Sequence, residues 1–299
     1  MQWGTVFSST IFPGPDEAAA LGEIAEEAGF EMLCAPEHIV IPVEYRPQYF
    51  ADETGKMQQL ERSGVPDPLI WFSFVAARTR RIKFCTGVML LTERNPVHTA
   101  KEAATLHMLS KGRLQLGVGS GWCKEEFDAL GISWPNRGKR LDEYIEAMRE
   151  LWREPIASYK GEFVNFHRVY SDPKPPGGTV PIIVGGNSEA AARRAGRVGD
   201  GYFPAIFPTE KVYEELPKLL GFVRAAAVEA GRDPATIEIT SGGTRSAEKA
   251  KWFADQGVHR LTIAPHSKTI SALREELMRF GDEVIDKTRD LGPKVPVAA

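Results

Sequence analysis

The chain has 299 residues, of which 42% are hydrophobic and 26% are charged, ordinary values for a globular protein. Its formal net charge of -3 argues against a nucleic-acid-binding surface, which usually carries a basic excess. No stretch approaches the roughly 18 apolar residues of a membrane span. Three cysteines without metal-ligand spacing fit a reducing compartment. We therefore expect a cytoplasmic protein with a small-molecule substrate and no nucleic-acid or membrane partner.

Strand-like and helix-like segments alternate along the chain. The predicted strands cover residues 3–8, 30–35, 82–90, 113–119, 181–184, 201–204, 237–241 and 259–264. The predicted helices cover residues 16–29, a segment from residue 68, and then 97–110, 139–152, 188–198, 211–230, 247–257 and 269–280. Alternation of this kind implies a parallel sheet. Eight units favour its closure into a (β/α)8 TIM barrel of the α/β class, with residues 1–299 forming a single domain.

Two long segments interrupt this alternation. Residues 36–66 follow the second strand, which places them on the catalytic face of a barrel, so we predict a lid or a substrate wall. Three aromatic residues of this segment suggest an apolar or ring-bearing substrate: Tyr45, Tyr49 and Phe50. Residues 155–178 precede the fifth strand and contain a predicted hairpin turn at residues 159–163, which covers a side of the barrel.

The residues that follow the strands of a barrel meet at one mouth. Glu37 and His38 follow the second strand, where a histidine can exchange a proton with a ligand or simply bond within its loop. Gly87 lies in the third strand, where a glycine permits either close approach by a planar ligand or a bend of the barrel. Gly119 and Ser120 end the fourth strand, and the small residues here leave room in the mouth.

The fifth predicted strand ends at Gly185 and Gly186, directly before a helix. Backbone N–H groups at a helix N-terminus suit a phosphate, and the glycines allow its approach. Asn187 or Ser188 can instead cap the helix, and both interpretations are compatible. The acidic pairs 125–126 and 142–143 and the arginines 193 and 194 are expected to form solvated helix faces.

Other classes of chemical site are missing from the sequence. It contains no Gly-x-Ser-x-Gly elbow, Walker loop or HExxH motif, and His98 and His107 lie too far apart on one helix to share a metal. We therefore expect no metal site, and a metal-dependent hydrolase receives little support. So little protein-borne chemistry suggests that a cofactor carries the reaction. A barrel that only stores or senses such a cofactor is the non-enzymatic alternative.

The ordered set of strand-end motifs resembles the bacterial-luciferase-like superfamily, especially its coenzyme F420-dependent oxidoreductases. The matching pieces are Pro36-Glu37-His38, Thr86-Gly87-Val88, Arg94-Asn95-Pro96-Val97, Leu109 to Arg113, Leu116 to Trp122, Glu125-Glu126-Phe127, Arg137-Gly138, Asp142-Glu143-Tyr144, Pro181 to Gly186 and Ala195 to Gly201. Together they span most of residues 3–205, whereas the last third matches only as a generic barrel.

The resemblance implies a barrel whose mouth holds a deazaflavin or flavin ring. It implies a non-prolyl cis peptide at Gly87–Val88, with Gly185 and Gly186 at the cofactor tail, and a catalytic acid–histidine pair, here Glu37 and His38. The residues assigned to the cofactor are Thr86, Gly87, Val88, Gly119, Ser120, Gly185, Gly186, Asn187 and Ser188. The leading hypothesis is hydride transfer between coenzyme F420 and a small organic substrate, with His38 exchanging the proton. The alternative is a flavin mononucleotide (FMN)-dependent monooxygenase that uses reduced flavin and O2. Such relatives often dimerise, so a homodimer is also expected.

Overall fold

The computed structural model describes residues 1–46, 48–49, 54–57, 60–61, 63–204 and 211–294. In this part of the chain the strands are β1 (Gln2–Thr5), β2 (Met32–Ala35), β3 (Lys83–Thr86), β4 (Met89–Leu90), β5 (Leu114–Gly119), β6 (Ala157–Lys160), β7 (Asn165–Val169), β8 (Ile182–Gly185), β9 (Gly201–Phe203), β10 (Glu238–Gly242) and β11 (Arg260–Ile263). The helices are α1 (Ser8–Ile11), α2 (Pro15–Glu27), α3 (Pro68–Arg78), α4 (Pro96–Leu109), α5 (Lys124–Ala129), α6 (Arg137–Arg153), α7 (Glu189–Val198), α8 (Val212–Glu229), α9 (Ala247–Asp255), α10 (Ile270–Phe280) and α11 (Asp286–Thr288).

The main sheet is a closed parallel barrel of eight strands. Its order runs β3-β2-β1-β11-β10-β9-β8-β5, and β3 pairs with β5 to close the circle. Every strand pair in this circle is parallel, with the intervening helices packed outside. The predicted α/β TIM barrel is therefore confirmed. None of the described helices is both long and apolar enough to cross a membrane.

Helix starts follow ordinary capping chemistry. The Asp67 side chain accepts hydrogen bonds from the first-turn N–H groups of α3, and Asn95 does the same for α4. Each of these helices also has proline at its first position, where the missing N–H has no intrahelical partner to lose. These signals explain why the sequence located the start of each helix within one residue.

The third predicted strand is divided in the structure. β3 ends at Thr86, the Gly87–Val88 peptide is cis as the resemblance implied, and the short strand β4 resumes at Met89. β4 pairs with β5 outside the barrel circle, with Met89 opposite Val118. The residues between β3 and β4 therefore leave the barrel wall and turn toward its mouth.

Both predicted insertions are present. The segment after β2 contains no described strand or helix before α3, and part of it lies outside the described residues. The segment before β8 contains the antiparallel hairpin β6–β7, as predicted, in which Tyr159 pairs with Phe166. The Glu143 carboxylate of α6 accepts from the backbone N–H groups of residues 162, 163 and 164, which fixes the hairpin turn to the barrel.

The N-terminal end of the barrel is filled by buried polar side chains. Arg260 of β11 is fully buried, pairs with Glu238 of β10 at 2.5 Å, and donates to Gln2 of β1 at 2.6 Å. The Arg260 guanidinium lowers the pKa of Glu238 against the opposing effect of burial. This end of the barrel is thereby occupied by side chains.

Helices α7 and α8 provide a test of the packing. A Cβ at Gly196 would lie 2.3 Å from the Val223 carbonyl oxygen of α8, whereas a Cβ at Gly221 would meet nothing within 4 Å. We expect Gly196→Ala to lower the free energy of unfolding by about 1–3 kcal/mol, because the two helix backbones must separate. Gly221→Ala should raise it by roughly 0.5–1 kcal/mol through helix propensity. Urea denaturation of both variants measures the difference; equal effects would contradict this packing.

Candidate functional site

A cavity of about 1100 Å³ opens at the C-terminal ends of all eight barrel strands. Its wall includes one or more residues from the end of every strand: Phe7, His38, Val88, Ser120, Asn187, Phe203, Thr244 and Ala264. A volume of this size exceeds that of most single-ligand pockets and fits a cofactor together with a substrate. The position agrees with the general location of active sites in TIM barrels.

Glycines shape one wall of this cavity around Val88. A Cβ at Gly185 would lie 2.5 Å from Val88 Cγ1, and a Cβ at Gly119 would lie 2.9 Å from Val88 Cγ2. The Val88 side chain thus occupies the space that larger residues on β5 and β8 would need. Gly87 and Val88 line the cavity directly, so a planar ring can lie against this wall.

The turn after β8 forms a second small-residue surface. Gly186 has a φ of 115°, a conformation that glycine adopts without strain, and its carbonyl accepts from the buried Tyr202 hydroxyl at 2.8 Å. The Ser188 hydroxyl caps α7 by accepting from Ala191 N at 3.2 Å. Asn187 and Ser188 are exposed on the cavity wall beside the first turn of α7. Backbone N–H groups at the start of a helix suit an anionic group.

His38 is held by a buried carboxylate on the other side of the mouth. Its Nδ1 lies 2.7 Å from Glu126 Oε2, and Glu126 Oε1 accepts from the N–H groups of Ile39 at 2.7 Å and Val40 at 3.2 Å. A carboxylate at Nδ1 favours the proton on that nitrogen and leaves Nε2 as the exchangeable position. The expectation of a solvated Glu126 was wrong, because its side chain is fully buried beneath the loop after β2.

The Glu37 carboxylate is buried and hydrogen-bonded within the protein. It accepts from Leu90 N at 2.7 Å and from Arg94 Nε at 2.9 Å, and only 2% of the side chain is exposed. Burial raises the pKa of Glu37, and the Arg94 guanidinium opposes that shift. Arg94 also contacts Asp67, the cap of α3. Although Glu37 borders the cavity, its carboxylate is occupied in joining the loops after β2 and β3.

Thr86 does not line the cavity, unlike the other residues assigned to the cofactor. It is fully buried, and its hydroxyl donates to the Gly117 carbonyl at 2.6 Å. This bond joins β3 to β5 where the barrel closes, so Thr86 supports the Gly87–Val88 turn from below. Ser120 does line the cavity, and its carbonyl accepts from the Thr92 hydroxyl at 3.1 Å.

Aromatic residues form the wall beside His38. The Trp122 ring lies 5.9 Å from the His38 ring and 5.4 Å from the Tyr49 ring, measured between centroids. Tyr45 packs behind them, donates to Glu61 at 2.5 Å and accepts from Met57 N at 2.6 Å. Burial and Glu61 raise the pKa of Tyr45 to about 12, so its hydroxyl stays protonated. Of the three aromatic residues predicted in this segment, Phe50 lies outside the described residues.

Among the arginines and acidic residues that were predicted to be solvated, Arg194 is also buried. Arg194 is 8% exposed, lines the cavity and pairs with Asp142 at 2.5 Å. Arg193 does lie at the surface, where it pairs with Glu189 one turn away. Arg194 is therefore a fixed part of the wall next to the turn after β8. Among the described residues, no group of three His, Cys, Asp or Glu side chains is arranged to hold a metal ion.

Three supporting residues escaped the sequence analysis: Glu126, Arg94 and Tyr202. Glu126 and Arg94 lie in quoted family motifs, yet neither spacing nor composition shows that they face inward. Of the three, only Glu126 could have been found from the sequence. A histidine at a cavity needs a hydrogen-bond partner on Nδ1, and α5, which carries Glu126, begins shortly after β5 and so lies near the mouth. Tyr202 gave no signal at all, since a tyrosine in a barrel strand is usual.

Comparison with known proteins gives a consistent result. The profile of a family described as luciferase-like monooxygenase matches residues 2–277. An uncharacterised protein of Mycobacterium tuberculosis is 36% identical over 216 residues, which cover 72% of this chain and 75% of the relative. An F420-dependent glucose-6-phosphate dehydrogenase of Kineococcus radiotolerans is 32% identical over 282 residues, covering 90% of this chain and 76% of the relative.

Solved structures share the architecture. A monooxygenase of Streptomyces bottropensis is 26% identical, with a TM-score of 0.63 and coverage of 97% and 82% of the two chains. An F420-dependent secondary alcohol dehydrogenase has a TM-score of 0.72 at 19% identity, with coverage of 97% and 99%. The oxygenating constituent of 3,6-diketocamphane monooxygenase of Pseudomonas putida, in complex with FMN, has a TM-score of 0.62 at 21% identity, with coverage of 85% and 71%. The last two likenesses concern the fold alone.

The Glu37–Arg94 pair predicts a pH-dependent loss of stability on mutation. Arg94→Met leaves the buried Glu37 without its cation, which should lower the free energy of unfolding by about 3 kcal/mol near neutral pH. Since the pKa of Glu37 is then raised further in the folded state, folding is penalised as pH rises, and the loss should shrink near pH 5. Urea denaturation at several pH values measures it.

The matched control is Arg78→Met, which removes an exposed ion pair with Glu23 at 2.8 Å. Its effect should stay below about 1 kcal/mol at every pH, as for other exposed pairs. A loss for Arg94→Met as small as that of the control, or one independent of pH, would contradict the assigned role of the pair.

Proposed function

The chain belongs to the luciferase-like monooxygenase family, and from that premise we propose that it is a coenzyme F420-dependent oxidoreductase acting on a small organic substrate. Its relatives support an enzyme that uses a deazaflavin or a flavin. The observation that carries the proposal is His38, held at Nδ1 by Glu126 at the wall of a cavity large enough for a cofactor and a substrate, which makes Nε2 the nitrogen that can exchange a proton. F420 is preferred because relatives named for it match most of the chain at 30–32% identity.

The residues present fit such a cofactor. Gly87, Val88, Gly119 and Ser120 offer a wall without bulky side chains, on which a planar ring can lie. Gly185, Gly186, Asn187 and Ser188 offer backbone N–H groups and small side chains for the phosphate-bearing tail. When bound, the cofactor supplies or accepts the hydride.

The protein's own contribution is to handle the proton and to exclude water. His38 takes the substrate proton at Nε2, or returns it, while Glu126 stabilises the charged ring through Nδ1. Trp122, Tyr49 and Leu60 border this position and favour an apolar or ring-bearing substrate. Glu37 acts through the loop that it fixes and not by touching the reacting atoms.

An FMN-dependent monooxygenase is the second candidate, favoured by the description of the family and by the monooxygenase that is 26% identical. The same wall and tail site would accept FMN, so the choice between the two cofactors depends on measured affinity. A homodimer also remains a proposal. It is supported by Ile70 and Phe74, which lie one turn apart on α3 and are 66% and 54% exposed.

Cofactor binding provides the direct test. We expect the purified protein to quench the fluorescence of coenzyme F420 on binding, with a lower dissociation constant than for FMN. Tight binding of FMN without binding of F420 would reject the first proposal in favour of the second. Ser188→Ala should weaken binding several-fold, because it alters the turn that receives the tail. Ser246→Ala is its control, since Ser246 caps α9 in the same way outside the cavity wall.

The role of His38 is tested by turnover. His38→Ala should reduce the turnover number by about 100-fold or more, since general acid–base catalysis contributes that much. Its cofactor affinity should change little, because other residues form the ring wall and the tail site. The assay follows F420 absorbance with a panel of apolar alcohols.

His98→Ala, an exposed histidine on α4, is the control and should behave as the wild type. Full turnover by His38→Ala would remove the assigned proton role. Tight cofactor binding with no turnover by the wild type across substrates and oxidants would favour a binding barrel over an enzyme.

A further inference from the structure

The side chain of Glu93 is enclosed in the wall behind the cavity. Only 4% of the residue is exposed, and within the described residues neither carboxyl oxygen has a hydrogen-bond partner. Its Oε1 would lie 2.7 Å from a Cβ at Gly121, a residue on the cavity wall. A buried carboxylate that receives no hydrogen bond is expensive, whereas a protonated carboxyl can donate its own proton to a neighbouring acceptor.

The surroundings of Glu93 are acidic. The Glu126 and Glu37 carboxyls both act to raise the pKa of Glu93, and Glu126 has the larger effect and lies within hydrogen-bonding reach of it. Arg94 is the neighbouring cation, but its guanidinium is already engaged by Glu37 and Asp67. Two carboxyl groups that share a closed space cannot both ionise readily, so one of them keeps its proton.

The contacts of Glu126 decide which group keeps it. Glu126 receives three hydrogen bonds, from His38 Nδ1 and from the N–H groups of Ile39 and Val40, and all three favour its charged form. Glu93 receives none from the described residues. Burial, Glu126 and Glu37 raise the pKa of Glu93 to about 9, in agreement with this assignment.

We propose that Glu93 is a positioning residue for His38: it holds a proton toward Glu126, so the two carboxyls carry one negative charge and Glu126 keeps His38 fixed through Nδ1. The effect of Glu93 on turnover rests on the proposed function, whereas the proton between Glu93 and Glu126 is independent of that function. Loss of the Glu93 proton would place a second negative charge behind Glu126 and alter the field at the His38 ring.

Several ionisable groups face this cluster. Glu37 and Arg94 face Glu93, Glu102 and Asp67 face Arg94, and the Cys123 thiol faces Glu126. Burial raises the pKa of Cys123 to about 11, above that of Glu93. Near pH 9 the ionisation of Glu93 can therefore be observed apart from that of the thiol.

The first test is infrared spectroscopy of the protein without cofactor. At neutral pH the wild type should show a carbonyl band of a protonated carboxylic acid, which fades with a midpoint near pH 9. Glu93→Gln preserves the shape of the side chain and should remove the band. Glu102→Gln, which changes a half-exposed glutamate beside Arg94, is the control and should retain it. Absence of the band in the wild type, or its persistence in Glu93→Gln, would overturn the proposal.

The second test reads the coupling to His38 directly. The ring nitrogen shifts of His38, followed by nuclear magnetic resonance, should show an inflection near pH 9 in the wild type and in Glu102→Gln, but not in Glu93→Gln. An inflection that persists in Glu93→Gln would overturn the proposal, since it would assign the effect to another group. Neither test uses cofactor or turnover, so a failure here is distinguishable from normal turnover by His38→Ala, which would reject the proposed function alone.

Discussion

The bond between His38 Nδ1 and Glu126 is the interaction on which the arrangement of the mouth depends. The two residues are 88 positions apart, one in the loop after β2 and the other on α5. Because the same carboxylate accepts from Ile39 and Val40, it fixes the backbone of the loop as well as the histidine ring. Charge-assisted hydrogen bonds of this kind are about twice as strong as neutral ones. The two oxygens of the buried Glu126 carboxylate therefore hold the loop after β2 in place at the mouth.

The opposite wall depends on residues that have no side chain. Gly119 and Gly185 leave space that the Val88 side chain fills, so the backbone between β3 and β4 can turn into the mouth. Thr86 supports this turn by bonding to Gly117 across the closure of the barrel. The cavity therefore has two different faces, a smooth one that suits a ring and a polar-aromatic one that carries His38, Trp122 and Tyr49.

These two faces were not equally predictable from sequence. The smooth face could be predicted because glycines at strand ends and capped helix starts act through local backbone geometry, which is visible in consecutive residues. The polar face depends on contacts between segments far apart, and this is why Glu126 and Arg194 were expected in solvent although both are buried. Thr86 lies off the cavity wall for a related reason: alternate residues of a strand face opposite sides, and spacing alone does not show which side Thr86 faces.

Three acidic side chains lie close together behind the mouth, and the cost of burying them is reduced in three different ways. Glu37 is paired with Arg94, Glu126 is held by His38 and two N–H groups, and Glu93 keeps its proton. The Glu37–Arg94 pair and the protonated Glu93 are each neutral overall, so the three carboxyls together present the single negative charge of Glu126 to His38. Replacing Glu93 by a second ionised group would double that charge, and replacing it by an apolar side chain would leave Glu126 without its neutral neighbour. A protonated carboxyl at position 93 is the solution that keeps the histidine both fixed and able to exchange a proton.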